Sequence, residues 1–173
     1  MDVALAAIGL VLLSPVLAVL AILVKLTSPG PIFYRQERCG LNGKPFMMLK
    51  FRSMRVDAEQ QAEPFGGDQG RPALRTQFGT FIRKTSLDEL PQLINVLMGD
   101  MSLVGPRPER PVFIQKFQKT IPNYTARHAV KAGITGWAQV NGWRQYLTLR
   151  KRINTTSTTS PTGPRGSTSK SCG

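Results

Sequence analysis

Cysteine and acidic residues are scarce in this chain, and each shortage narrows what it can be. Among 173 residues there are two cysteines, Cys39 and Cys172. No disulfide framework can be argued from two, and a reducing cytoplasmic setting fits. There is one histidine, His128, which reads as structural rather than catalytic. Only 10 Asp plus Glu stand against 23 Lys plus Arg, for a formal charge of +13. That imbalance points to an anionic partner: nucleic acid, an anionic membrane surface or a nucleotide substrate. Charge is missing altogether from Val3 to Val24, where Leu, Val, Ile and Ala dominate. Such a run is long enough to cross a bilayer as a helix. A cleaved signal peptide is disfavoured, because Asp2 stands where a basic residue is wanted and the run outlasts a usual apolar region. The length leaves room for one modest domain.

Ser14-Pro15 interrupts the apolar run. Proline removes a helical hydrogen bond and predicts a kink, and the serine hydroxyl can satisfy a carbonyl that the kink frees. A kinked span and a re-entrant hairpin both fit. After Lys25 and the loop Ser28-Pro29-Gly30-Pro31, a strand-like piece from Ile32 to Arg38, a turn at Gly40 to Gly43 and a second piece from Pro45 to Met54 predict a hairpin. Its second strand carries Lys50, Phe51 and Arg52, either a solvated or headgroup-facing basic edge or a substrate contact. Basic residues just after an apolar span place this side in the cytoplasm. Val56 to Ala62 predicts a short helix, and the polar stretch on to Gln77 a mobile loop, a candidate lid. Phe113 to Phe117 predicts another short helix. Arg127 to Arg144 combines basic residues, glycines, Trp137 and Trp143, and reads either as a nucleotide pocket or as a loop packed by two core tryptophans.

The most informative stretch runs from Lys84 to Pro108, KTSLDELPQLINVLMGDMSLVGPRP. Leu90, Leu93, Ile94 and Leu97 are spaced as one buried helix face, and Gly99 stands where a left-handed residue would end it. Ser86 and Glu89 have capping-box spacing, and Pro91 is tolerable in a first turn. The adjacent carboxylates Asp88 and Glu89 then sit at a helix start. They either cap it, or act on phosphorus and hold a divalent metal. Arg83 and Lys84 precede the pair. Arg107, fixed between Pro106 and Pro108, suits a phosphate oxygen.

Taken together, Ser14-Pro15, SPGP at Ser28 to Pro31, KFRSM at Lys50 to Met54, KTSLDELPQL at Lys84 to Leu93, GDMSLVGPRP at Gly99 to Pro108 and GITGWAQVNGWR at Gly133 to Arg144 resemble the bacterial sugar transferases, or monotopic phosphoglycosyl transferases. The likeness runs unbroken from Asp2 to about Arg144. It is nearest to the catalytic domain of undecaprenyl-phosphate glucose or galactose phosphotransferases. The resemblance implies an α+β fold in which residues 1–26 form a re-entrant membrane helix bent at the Ser-Pro. Residues 27–144 would form a small interfacial catalytic domain of amphipathic helices with a short β-hairpin. Asp88 would attack the β-phosphorus of a UDP-sugar, releasing UMP, and undecaprenyl phosphate would take the sugar phosphate. Glu89 would help Asp88 hold Mg²⁺. Arg107 would clamp a phosphate, Lys50, Arg52, Arg83 and Lys84 would support it, and Trp137 and Gln139 fall in the candidate nucleotide segment. The implied partners are UDP-sugar, undecaprenyl phosphate and anionic lipids, not nucleic acid. The implied place is the cytoplasmic face of the bacterial inner membrane, and the implied role is to start exopolysaccharide, capsule or O-antigen assembly.

The tail departs from that pattern. Residues 145–173 are rich in Thr, Ser, Gly and Pro where the family continues acidic and aromatic, so they read as disordered or as the product of a frame change. An inactive copy of the enzyme and a non-enzymatic basic membrane module are the competing expectations. The family's basic residues ahead of Asp2 are also missing, so a fragment of a longer protein is expected.

Overall fold

The computed structural model describes residues 1–58, 75–120 and 124–141. The expected lid up to residue 74, Trp143 and the atypical tail lie outside the described residues.

The uncharged run forms a helix, α1 (Asp2–Thr27), that continues through Pro15. Proline has no N–H to offer the carbonyl four residues back, which is that of Val11. The Ser14 hydroxyl donates to that same oxygen at 2.8 Å, which is how the helix tolerates the proline. Ala6, Leu20 and Val24 are buried on one stripe, while Val11, Leu12, Val16, Val19 and Ile22 are exposed. Ala6 packs with Met48, Val96 and Met101. Leu20 and Val24 pack with Phe51 and Ile82. Asp2 accepts a hydrogen bond from Ser102. The helix therefore lies along the rest of the fold with both halves instead of projecting from one end.

The hairpin forms as the sequence predicts. Strands β1 (Phe33–Cys39) and β2 (Pro45–Phe51) pair antiparallel, with Phe33 opposite Phe51 and Cys39 opposite Pro45. Asn42 (φ 54°) and Gly43 (φ 73°) supply the left-handed conformations of the turn. Of the helix expected at Val56 to Ala62, Val56–Ala58 is a 3₁₀ turn and the remainder lies outside the described residues.

The Lys84 to Pro108 stretch differs from the single capped helix expected of it. A separate helix, α2 (Gln77–Lys84), comes first, its Thr76 hydroxyl accepting from the Gly79 amide at 2.8 Å. Ser86 then adopts a left-handed conformation (φ 61°) and makes no side-chain cap bond, so the capping box does not form. Leu87–Glu89 is a 3₁₀ turn, and only after Pro91 does α3 (Gln92–Leu97) begin. Its most buried residues are Gln92, Asn95 and Val96, not the predicted leucine face, and Leu97 is exposed. The reason is Asn95. Its amide donates to Met47 O at 2.9 Å and its carbonyl accepts from Leu49 N at 3.0 Å, satisfying the open edge of β2 and turning that face of α3 toward the hairpin. Gly99 is left-handed as expected (φ 85°).

Strand β3 (Met101–Val104) follows, and the helix expected near Phe113 is α4 (Pro111–Thr120). A 3₁₀ segment, Tyr124–Ala129, leads to β4 (Ala132–Thr135) and the short α5 (Trp137–Val140). Strand β4 pairs parallel to β3, Met101 lying opposite Ala132. The segment expected to be a glycine-rich loop is thus in part a strand. Its glycines permit close approach: a Cβ on Gly133 would stand 2.0 Å from the Gly105 nitrogen. Trp137 is 58% exposed, which removes it from the core that the packed-loop reading required.

Candidate active site

Asp88 and Glu89 meet the rest of the site from the 3₁₀ turn between α2 and α3. Three residues per turn send adjacent side chains about 120° apart, so the two carboxylates diverge. Leu87 and Leu90 pack against the Phe51 and Ile82 cluster and hold the turn in place. Glu89 faces β2. Lys50 shares the parity of Met48, whose side chain is in the core, so it also points toward the helices. Its Nζ lies 2.9 Å from Glu89 Oε1. Arg107 reaches the same oxygen with Nη2 at 2.6 Å and sets Nη1 3.5 Å from Oε2.

Glu89 is therefore pinned between two cations with 13% of its side chain exposed. Burial pulls its pKa upward, but Lys50 and Arg107 together bring it down to about 2. Burial pulls Lys50 below its ordinary value despite Glu89. Burial works against the charge on Arg107 too, but there Glu89 wins and the pKa rises.

Asp88 is in the opposite situation. It is 6% exposed, and no described residue lies at ion-pair distance from its carboxylate. Burial raises its pKa and Glu89 raises it further, against the pull of Lys50, Arg83 and Arg107. Two neighbouring carboxylates are thus driven apart, one fixed as an anion and one made more basic. That is how sites assign separate tasks to paired acids. The capping alternative finds no support, since α3 starts at Pro91 without a side-chain cap bond.

The other predicted residues separate. Arg83 stands on the last turn of α2, near enough to pull on Asp88, and Lys84 is exposed beside it. Arg52 is buried and turned elsewhere: Nη1 donates to Pro29 O at 2.9 Å and Nη2 to Ser28 O, so it ties down the loop after α1. Gly30 beneath it has no room for a side chain, as a Cβ would come within 2.1 Å of Arg52 Nη1. Gln139, on α5, keeps its side-chain amide nitrogen buried with no partner among the described residues. Trp137 stands exposed on the same short helix.

Two contributors were not singled out from sequence, Asn95 and Arg127. Arg127 is 8% exposed, donates from Nη2 to Arg107 O at 2.7 Å and from Nη1 to the Tyr124 hydroxyl at 3.1 Å. Its i, i+3 spacing from Tyr124 was the available signal. His128 is buried, its ring edge-on to Tyr124, and burial with Arg127 alongside lowers its pKa; the structural reading of it fits.

Among the described residues no group of three or more His, Cys, Asp or Glu could hold a metal. Glu89, expected to share a metal with Asp88, instead turns its oxygens to Lys50 and Arg107. That leaves the Asp88 carboxylate as the one suited to Mg²⁺, an ion that commonly takes one or two carboxylates from protein and completes its shell with water and substrate phosphates.

Comparison with known proteins gives the chain a lineage. The family model described as bacterial sugar transferase matches residues 1–158, continuing past Arg144. The chain is 52% identical over 143 residues to the UDP-glucose:undecaprenyl-phosphate glucose-1-phosphate transferase of Escherichia coli K12, covering 83% of this chain and 30% of that protein. It is 47% identical over 140 residues to the UDP-N-acetylgalactosamine-undecaprenyl-phosphate N-acetylgalactosaminephosphotransferase of Aeromonas hydrophila, covering 81% and 33%. An exopolysaccharide production protein of Rhizobium leguminosarum bv. phaseoli is 41% identical over 140 residues, covering 79% and 69%. The chain thus spans about a third of the length of the first two relatives.

Proposed function

The chain belongs to the bacterial sugar transferase family, and from that premise we propose that it transfers a hexose 1-phosphate from a UDP-sugar to undecaprenyl phosphate and releases UMP. The observation that carries this reading is the buried Asp88 carboxylate, with no ion pair among the described residues, set beside a Glu89 held by Lys50 and Arg107. A carboxylate made basic by burial is a better nucleophile when ionised. In the first step an Asp88 oxygen bonds to the β-phosphorus while the bond to the bridging oxygen breaks, and UMP leaves with that oxygen. In the second, a phosphate oxygen of undecaprenyl phosphate bonds to the same phosphorus and displaces Asp88, leaving a lipid-linked diphosphosugar. Lys50 and Arg107 hold positive charge where negative charge gathers on the phosphoryl oxygens, and Glu89 keeps both cations in place. Asp88 would hold Mg²⁺ together with the substrate phosphates, and the ion would supply further neutralisation of phosphate charge.

Location follows the same reading. Helix α1 has 26 residues and a mean hydropathy of 2.8 over its most apolar window, long and apolar enough to cross a membrane. Packing of both its halves on the catalytic region favours the re-entrant arrangement, bedded in one leaflet of the inner membrane with its exposed apolar side in lipid and the site on the cytoplasmic side. The basic excess then serves anionic lipids and anionic substrates, not nucleic acid. The step would begin assembly of exopolysaccharide, capsule or O-antigen.

UMP release from a panel of UDP-sugars by the detergent-solubilised chain, with undecaprenyl phosphate and Mg²⁺, tests the proposal beside Asp88→Asn. Release that vanishes in the variant is expected, together with a phosphosugar adduct on the Asp88 peptide when the lipid is withheld. Silence from every sugar, with anionic vesicles still bound, would instead favour the non-enzymatic membrane module.

A further inference from the structure

We propose that Arg127 is a positioning residue for this reaction, fixing the backbone at Arg107 and thereby where the Arg107 guanidinium stands. The inference rests on the reading of Arg107 as a phosphate-binding group.

Four successive carbonyls, from Pro106 to Glu109, are each held by a different donor. Pro106 O accepts from Gly133 N at 3.0 Å and Glu109 O from Cys39 N at 3.0 Å. Pro108 O accepts from Arg38 Nη1 at 3.4 Å. Arg107 O accepts from Arg127 Nη2 at 2.7 Å. Arg107 is followed by Pro108, which confines its backbone to extended conformations but still leaves its carbonyl a range of orientations within them. A donor on that oxygen fixes one of these.

Arg127 is built to be that donor. Its guanidinium carbon lies 5.2 Å from the centre of the Tyr124 ring, and Glu109 Oε1 is 4.0 Å from Nη2. Tyr124 itself is 1% exposed and packs against Phe117, so the donor is anchored in the core. The chain of support runs from the α4 aromatic cluster through Tyr124 and Arg127 to Arg107 and ends at Glu89. Arg127 touches no reacting atom in this scheme.

A double-mutant cycle on UMP release, read beside thermal melting, separates positioning from bulk stability. Arg127→Gln should lower kcat/KM by about 10²-fold, the loss expected from a displaced catalytic group. In the Arg107→Ala background the same change should cost nothing further, because there is no guanidinium left to place. Arg127→Lys retains a donor for the Arg107 carbonyl and should recover activity by about tenfold relative to Arg127→Gln. Tyr124→Phe removes the hydroxyl that accepts from Arg127 Nη1 but keeps the ring beneath the guanidinium, and should lower kcat/KM by less than Arg127→Gln does. Equal losses from Arg127→Gln in both backgrounds would overturn the proposal, as would Arg127→Lys recovering no activity relative to Arg127→Gln. Should Arg127→Gln fail to fold, Arg127→Lys carries the same cycle. A parent chain that releases no UMP overturns the functional reading along with this one, whereas an active parent with an additive cycle overturns only this one.

Discussion

Glu89→Gln removes the charge at the centre of the site, and its cost can be worked from the geometry. Lys50 at 2.9 Å and Arg107 at 2.6 Å share one Glu89 oxygen, and against the upward pull of burial they bring its pKa from 4.5 to about 2. A depression of about 2.5 pH units at about 1.4 kcal/mol each corresponds to roughly 3 kcal/mol of folding stability. Glu89 titrates below its unfolded value, so this contribution is complete above pH 4.5 and is lost as the pH falls toward 2. Burial has lowered the Lys50 pKa from 10.5, so its contribution has the opposite sense, a cost that is relieved as the pH rises toward that value. At pH 7 the variant should melt about 10 °C below the parent, given about 3 °C per kcal/mol for a chain of this size. It also leaves two partly buried cations facing each other without their anion. Melts followed by circular dichroism in detergent and EDTA, from pH 7 to pH 3, should show the gap narrowing once the pH drops below 4.5. A gap absent at pH 7, or constant down to pH 3, would refute the ion-pair account.

Three other substitutions probe the supports of the site. Asn95→Ala removes the buried side chain that pairs with Met47 O and Leu49 N at the edge of β2 and should cost about 1–3 kcal/mol in urea unfolding. Gly133→Ala places a Cβ 2.0 Å from the Gly105 nitrogen, so β3 and β4 must separate, at about 3 kcal/mol in the same assay. The rate of UMP release should fall on the acid side as Asp88 takes up a proton, at a pH above the usual aspartate value of 3.8. Arg83→Gln, which removes a charge that lowers the Asp88 pKa, should move that limb to higher pH, and a limb moved to lower pH would contradict the assigned electrostatics.

Much of this architecture was legible where the pattern is local. The hairpin announced itself through two apolar runs and a Gly-Leu-Asn-Gly turn, and Gly99 through the need for a positive φ. The carboxylate pair and the proline-bracketed arginine were visible because adjacent acids and rigid arginines are chemically unusual, though not that Lys50 would join them from 39 residues away. Helical spacing alone suggested one helix through Asp88. The left-handed Ser86 splits it, and the buried polar contacts of Asn95 then set which face turns inward. Strands of four residues that pair across 31 positions, as Met101 does with Ala132, give no periodic signal before they meet. Arg52 was misleading for a related reason: a basic residue beside Lys50 looks like a phosphate ligand until its carbonyl partners on Ser28 and Pro29 are seen.

Helix α1 contributes Ala6 to one buried cluster and Leu20 and Val24 to another. It is thus a wall of the building, shared by two rooms. Cutting the chain at Ser28 would strip cover from Met48, Val96 and Met101 at one end and from Phe51 and Ile82 at the other. A chain trimmed of α1 should therefore lose stability, and a variant of this fold without that helix would need another in the same place to cover both clusters.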